Sequence, residues 1–281
     1  MNILVTGSSG RLGSCTVNHL RAYGHRVFGI DVIASDTTDK LIDIANKQVV
    51  EDVCNGFQAI IHTAALHGKH YDLAYPRDAF IDVNIKGTLN LLNACIKNRV
   101  KQFLYTSTTS IYGDAMVDDA KAVWVDELLP EQPRDIYDIT KQTTEQLCKD
   151  FFYKEGLQTS VYRVGRFLPE DDNLKINHRL YRGLDERDGA EALRLALNTH
   201  FENFEIFNIS SGSPFAPVDL VTLKHNPEAA ILKYYPEAHA IYQHKNWVFP
   251  KSIDRVYICD KAKQRLGYEP KYTFEYLLHQ T

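Results

Sequence analysis

Short, nearly continuous apolar runs recur along the first two thirds of this chain, separated by longer amphipathic segments. The runs are "NILVT" (2–6), "RVFGI" (26–30), "AIIHT" (59–63), "QFLYTS" (102–107) and "TSVYRV" (159–164). They are rich in β-branched and aromatic residues and do not alternate with polar ones. Strands buried on both faces of a parallel sheet read this way. Between them lie helical patterns such as "FIDVNIKGTLNLLNACIKN" (80–98), where Ile81, Ile85, Leu89 and Leu92 recur on one face. Strands and helices in alternation imply right-handed crossovers, and so an α/β fold with a doubly wound parallel sheet.

The pattern loosens past residue 167. The stretch 168–183 is polar and turn-rich, a helical segment follows at 185–200, and "FEIFNIS" (204–210) reads as one more strand. Residues 211–257 hold several of the prolines and many aromatics. The expectation is one structural domain: a dinucleotide-binding core over 1–167, then a mixed segment over 168–281 that completes the sheet and forms a small cap.

Composition narrows the function classes. With 281 residues, 44% hydrophobic and 24% charged, the chain is long enough for one large domain. A formal charge of -4 and the lack of a basic run argue against nucleic acid as a partner. Five cysteines (Cys15, Cys54, Cys95, Cys148, Cys259) are scattered without metal-like spacing, which suits a reducing compartment. No apolar stretch approaches the roughly 20 residues that span a bilayer, so no membrane partner and a cytoplasmic location are expected.

The stretch "NILVTGSSGRLGS" sets Gly7, Gly10 and Gly13 between the first strand and the first helix. A glycine-rich turn there lets backbone N–H groups approach a pyrophosphate at the positive end of the helix. This makes the sheet Rossmann-type. The second run ends in Asp31, where a carboxylate can accept both ribose hydroxyls of an adenosine and repel a 2′-phosphate. Two like charges about 4 Å apart cost roughly 1–4 kcal/mol, enough to favour NAD over NADP. Arg11, inside the turn, pulls toward a phosphate.

In "RDIYDITK" (134–141), Tyr137 and Lys141 lie one turn apart on one helix face. A chain with 16 tyrosines shows about one such pair by chance, so the spacing alone decides nothing.

Taken together, "TGSSGRLG" (6–13), Asp31, "LIDIAN" (41–46), "IIHTAA" (60–65), "VNIKGTLNLL" (83–92), "FLYTSTTSIYG" (103–113), "YDITK" (137–141), "YRVGRFLPE" (162–170) and "FNIS" (207–210) resemble one family. It is the NAD-dependent epimerase/dehydratase family of the extended short-chain dehydrogenase/reductase superfamily. The resemblance covers nearly the whole chain. It implies that Gly7, Ser9, Gly10, Arg11, Leu12 and Gly13 cradle the cofactor. Asp43 and Ile44 would contact its adenine, Ala64 and Ala65 its pyrophosphate and ribose, and Val164 its nicotinamide. Asn84 would bond backbone near the active site. It further implies that Tyr137 is the general acid/base and that Lys141 holds the nicotinamide ribose and lowers the phenol pKa. Thr108 takes the place of the catalytic Ser or Thr, with Ser107 the neighbour able to take over that role.

The chain also departs from the family pattern. Members acting on nucleoside-diphosphate sugars usually carry Asn where "RVGR" has Arg166. The short cap resembles the uronate dehydrogenase branch, whose substrate-contacting positions would fall on His67, Arg166 and Arg179. His67 and His70 lack a third ligand at sensible spacing, so a substrate-facing loop is expected there and no metal. The resemblance therefore implies an NAD-dependent oxidoreductase acting at a carbinol carbon of a sugar or sugar nucleotide, with an anionic substrate expected from these arginines. Oxidation of a free sugar acid with net NADH release is the alternative, and a catalytically silent NAD-binding protein the alternative of another class. A homodimer formed through helices near 80–98 and 137–155 is implied as well.

Overall fold

Each apolar run forms a strand. In the computed structural model, which describes residues 1–167 and 171–280, seven strands make one parallel sheet in the order β3-β2-β1-β4-β5-β7-β8. They are β1 (Asn2–Thr6), β2 (Arg26–Asp31), β3 (Lys40–Leu41), β4 (Ala59–His62), β5 (Gln102–Thr108), β7 (Gln158–Val164) and β8 (Glu205–Ile209). Between β5 and β7 in sequence comes β6 (Val123–Val125), which pairs with β9 (Arg255–Tyr257) in a separate two-stranded sheet. The strand order reverses beside β1. Such a reversal opens a crevice at the carboxyl ends of the strands, where ligands of doubly wound sheets bind.

Both faces of the sheet are covered, as its unbroken apolar strands require. The helices Arg11–Ala22 and Glu186–Leu197 pack Val17, Leu20, Leu193 and Ala196 against one face. On the other, the helices Lys47–Val53, Thr88–Asn98 and Ile136–Glu155 supply Val50, Leu92, Cys148 and Phe151. A third cluster, with Ile176, Leu223, Ile231, Tyr242 and Phe274, fills the cap built from residues past 171.

Two local features differ from the sequence expectation. The polar stretch after residue 170 is no loop. Asp171 caps Leu174 N at 2.8 Å and starts a helix, Asp172–Arg179, whose Ile176 is fully buried. The domain boundary expected at 168 falls on residues 168–170, outside the described residues. The segment read as one helix over 80–98 is interrupted: Ile81–Gly87 is a π-helix before the α-helical Thr88–Asn98. A π-turn widens the backbone and commonly marks a functional stretch. Here it carries Asn84.

Candidate functional site

The glycine turn is held by close backbone packing. A Cβ on Gly7, whose φ is +71°, would lie 2.5 Å from Ala64 N, and one on Gly13 would lie 2.0 Å from the Gly7 carbonyl oxygen. Ala64 and the neighbouring Ala65 are thereby set against the turn at the carboxyl end of β4. Gly10 is the N-cap of Arg11–Ala22 and offers no side-chain cap, which leaves the first helical N–H groups for a ligand. The Leu12 side chain packs inward, against Gly189. One oxygen of Asp31 accepts from Ser9 N at 3.0 Å and the other from Ile33 N at 3.0 Å. The carboxylate is thus aimed at the turn with lone pairs to spare for ribose hydroxyls. These residues fit a dinucleotide.

Arg11 is committed elsewhere. Its guanidinium pairs with Glu186 at 3.0 Å and also donates to the Phe167 carbonyl. The adenine-side expectations divide. Asp43 is exposed and accepts from Ala45 N at 2.9 Å, whereas the Ile44 side chain is buried against Gly87.

Asp135 starts the helix Ile136–Glu155 by accepting from Asp138 N at 2.9 Å, which puts Tyr137 in the first turn. Asn84 pins this turn to the loop after β4. Its side chain accepts from Leu66 N at 2.8 Å and donates to Leu66 O at 2.9 Å and to Thr140 Oγ1 at 2.9 Å. Burial pushes the Tyr137 phenol well above the usual range, and the Thr108 hydroxyl beside it acts in the opposite sense. Lys141 is 3% exposed. Its ammonium donates to Thr106 O at 2.8 Å and sits 4.6 Å from the Tyr105 ring centre. Burial brings it down to about 7, with Glu145 opposing. The Lys141 ammonium is engaged by the strand carbonyl, and burial is the largest influence on both the ammonium and the phenol.

Strand alternation separates the two candidate hydroxyls. Thr108 lies toward Tyr137 and accepts from Ser110 N at 3.1 Å. Ser107 is buried on the other side, its hydroxyl near Glu145. Val164 is the register partner of Thr108 on β7, so the two stand side by side at the sheet edge.

Behind Ser107 runs an ion network that the motif reading passed over. Arg163, 1% exposed, donates to Glu145 at 3.0 and 2.6 Å and also pairs with Glu131. Its guanidinium lies 4.9 Å from the Tyr112 ring centre, and the Tyr112 hydroxyl donates to Asn208 at 2.8 Å. Two signals pointed there: an arginine inside the apolar run "TSVYRV", and Glu145 one further turn along the Tyr137–Lys141 stripe.

The residues expected on the substrate side scatter. His67 and His70 pack edge to face at 4.5 Å after β4, His70 on the short helix Gly68–Asp72, and His67 is exposed. Arg166 is exposed two residues beyond Val164, where it bridges to Gly183. Arg179 is the correction. It is buried and pairs with Asp185 at 3.2 Å, because the helix carrying it packs that face inward.

Comparison with known proteins bears on this geometry. Residues 3–180 match the family model described as the NAD dependent epimerase/dehydratase family. Bifunctional protein gal10 of Schizosaccharomyces pombe is 30% identical over 165 residues, which are 53% of this chain and 23% of that protein. The uronate dehydrogenase of Pseudomonas syringae pv. tomato is 25% identical over 180 residues, 62% of each chain. The matches thus span less than two thirds of either relative. The crystal structure of UDP-N-acetylglucosamine 4-epimerase from Bacillus cereus superposes with a TM-score of 0.72 at 23% identity, covering 100% of this chain and 97% of that one. It has the same fold.

Proposed function

The chain belongs to the NAD-dependent epimerase/dehydratase family, and on that premise we propose that it catalyses hydride transfer at a carbinol carbon of a sugar or sugar nucleotide. One observation carries the reading: the Tyr137 phenol and the Thr108 hydroxyl face each other at the carboxyl edge of β5, one turn from the buried Lys141. NAD supplies the hydride acceptor and a positive charge when bound. Gly7, Gly10 and Gly13 would bring backbone N–H groups to its pyrophosphate, Asp31 would hold the adenosine ribose, and Lys141 the other ribose. Val164, level with Thr108, would line the nicotinamide pocket.

In the reaction Tyr137, as phenolate, takes the substrate hydroxyl proton while the carbon-bound hydrogen leaves as hydride. Thr108 donates to the same oxygen as it becomes a carbonyl, a charge-stabilising contact that strengthens along the reaction. Desolvation holds Tyr137 as phenol until the site is filled, so forming the phenolate, with release of its proton to solvent, is tied to binding of the positively charged cofactor. The substrate is read as anionic, from the guanidinium groups beyond β7. A homodimer through Thr88–Asn98 and Ile136–Glu155 is inferred, supported by Ile96 and Ile139, exposed on these helices. No helix among the described residues is long and apolar enough to cross a membrane, and a cytoplasmic enzyme is the reading adopted.

The match to uronate dehydrogenase over 62% of the chain favours one second reading, in which a free sugar acid is oxidised and NADH released. The test incubates the protein and NAD with UDP-glucose, UDP-glucuronic acid or free glucuronate, following nicotinamide absorbance and product stereochemistry. Turnover without NADH accumulation supports epimerisation or dehydration, and stoichiometric NADH supports net oxidation. Turnover that survives Tyr137→Phe would defeat the mechanism.

A further inference from the structure

One buried imidazole joins the glycine turn to the helix of Tyr137. His62 ends β4 and is 1% exposed, its ring set against those of Phe103 and Tyr105 at 5.8 and 5.6 Å between centres. Its Nδ1 lies 2.6 Å from Thr6 Oγ1, in the residue before Gly7. Its Nε2 lies 2.9 Å from Thr88 Oγ1, at the start of the helix Thr88–Asn98. Both hydroxyls are buried, and each has one further neighbour. Ala64 N donates to Thr6 Oγ1 at 3.4 Å, and Thr88 Oγ1 donates to Asn84 O at 2.6 Å.

The two ends of this chain of bonds fix its direction. Burial, reinforced by the Lys141 ammonium, holds the imidazole pKa well below its usual range, so the ring is neutral and carries one N–H. A hydroxyl can donate or accept, so neither bond to the ring decides which nitrogen is protonated. Asn84 O can only accept. The Thr88 proton therefore points to it, and Thr88 Oγ1 receives an N–H from Nε2. Nδ1 is then bare and accepts from Thr6, whose oxygen remains free to receive the Ala64 N–H. The opposite tautomer would take the Thr88 proton from Asn84 O and leave the Thr6 proton without an acceptor among these groups. Asn84 stands at the far end, and its side chain holds Leu66 and Thr140.

We propose that His62, fixed in its Nε2–H tautomer, is a positioning residue of this site: through Thr88 it sets the π-turn of Asn84, and with it the first turn of the Tyr137 helix, and through Thr6 it braces the strand end that leads into the glycine turn. The ring is buried and acts through these neighbours, not on the reacting atoms. Its effect on kcat rests on the hydride-transfer reading above, whereas its tautomer and its hold on Asn84 do not. Two amides each reproduce half of the ring. Asparagine offers an acceptor near the place of Nδ1, and glutamine an N–H near the place of Nε2.

Nitrogen NMR of the full, unmutated chain, with the His62 ring assigned by through-bond correlation from its own backbone, reads the tautomer directly. A protonated Nε2 beside an unprotonated Nδ1 is expected, with and without NAD. A protonated Nδ1, or a ring protonated at both nitrogens, overturns the proposal whether or not any variant folds. NAD titration, and steady-state kinetics with UDP-glucose and with glucuronate, then compare His62→Asn and His62→Gln. His62→Asn should lower kcat about tenfold or more and leave NAD affinity within about twofold, the loss of one buried hydrogen bond. His62→Gln should keep kcat within about threefold and weaken NAD more than His62→Asn does. The Leu66 amide, held by Asn84, should exchange faster with solvent in His62→Asn and in Thr88→Val, and near normally in His62→Gln. A role in packing alone makes the two amides alike in kcat, NAD affinity and Leu66 exchange, and that result also overturns the proposal. Absence of turnover in the unmutated protein would instead count against the hydride-transfer reading, since the tautomer, the NAD titrations and Leu66 exchange still decide the role of His62.

Discussion

The ammonium of Lys141 donates to the carbonyl of Thr106 at 2.8 Å, which ties the helix of the Tyr-Lys pair to the last turn of β5. The same buried contact carries a cost. Lys141 is held near 7 by burial, against its usual 10.5, so between those values the unfolded chain binds more protons than the native one. Native stability therefore rises with pH across that window, and the penalty is full below it. Lys141→Met removes the penalty together with one hydrogen bond. We expect the variant to be more stable than the unmutated protein by about 1–3 kcal/mol at pH 6, with the gap narrowing toward pH 10. Melting curves at both pH values check this. In parallel, NAD affinity should fall tenfold or more.

Thr108, not Ser107, should carry the catalytic hydroxyl, since only Thr108 lies toward Tyr137. Thr108→Val is expected to lower kcat by about 10²–10³ with little change in melting temperature, the loss seen when one oxyanion donor is removed. Ser107→Ala should leave kcat within a few-fold. Steady-state kinetics on both variants decide it, and the reverse ranking would transfer the role to Ser107.

That distinction marks where the sequence stops being readable. Apolar runs at strand length gave the sheet, because burial on both faces leaves an unbroken apolar signal that distant context cannot disguise. The placement of the turn's glycines and of Asp31 was legible because it follows from local backbone chemistry. The direction of Ser107 against Thr108 was not, since it depends on where β5 ends relative to the helix of Tyr137. Arg179 misled for a related reason. In a basic stretch any arginine looks available, and only the packing of its helix turns it onto Asp185. The two-residue β3 and the β6–β9 pair carry no periodicity of their own and exist through tertiary pairing.

Asp31 should make NAD the preferred cofactor by at least tenfold, through repulsion of a 2′-phosphate. The pairing of Arg11 with Glu186 sharpens the expectation, because the one cation of the turn is already engaged. Asp31→Ala should narrow the preference by removing the repulsion. Glu186→Ala should narrow it independently by releasing Arg11. Equilibrium titration of both dinucleotides into the three proteins tests each contribution, and equal affinities in the unmutated protein would refute the assignment.

Gly13→Ala should be among the most damaging single changes in the chain. The added methyl would lie 2.0 Å from the Gly7 carbonyl oxygen, a backbone atom that cannot swing aside. The turn must open or the helix Arg11–Ala22 must shift off the sheet. An overpacking cost of about 3 kcal/mol or more is expected, with loss of NAD binding. Gly10→Ala is the control, since its Cβ would meet only the Gly7 oxygen, at 3.3 Å. It should fold nearly normally and lose NAD affinity alone, which circular dichroism and titration together reveal.

Arg179 and Arg166 should separate on KM. Arg179 is buried against Asp185, which keeps a second partner in Arg187 at 2.7 Å. Arg179→Ala therefore leaves no wholly unpaired buried carboxylate, but it removes a packed side chain and one ion pair. A loss of about 1–3 kcal/mol in stability is expected, with KM within threefold. Arg166 is exposed two residues beyond Val164. Arg166→Ala should raise KM, by up to about 2–3 kcal/mol if a substrate anion pairs with it directly. Denaturant unfolding and steady-state kinetics on both variants form the test. If Arg179→Ala raised KM strongly at unchanged stability, its pairing with Asp185 would have to open on substrate binding, and the anion site would extend to the buried helix face.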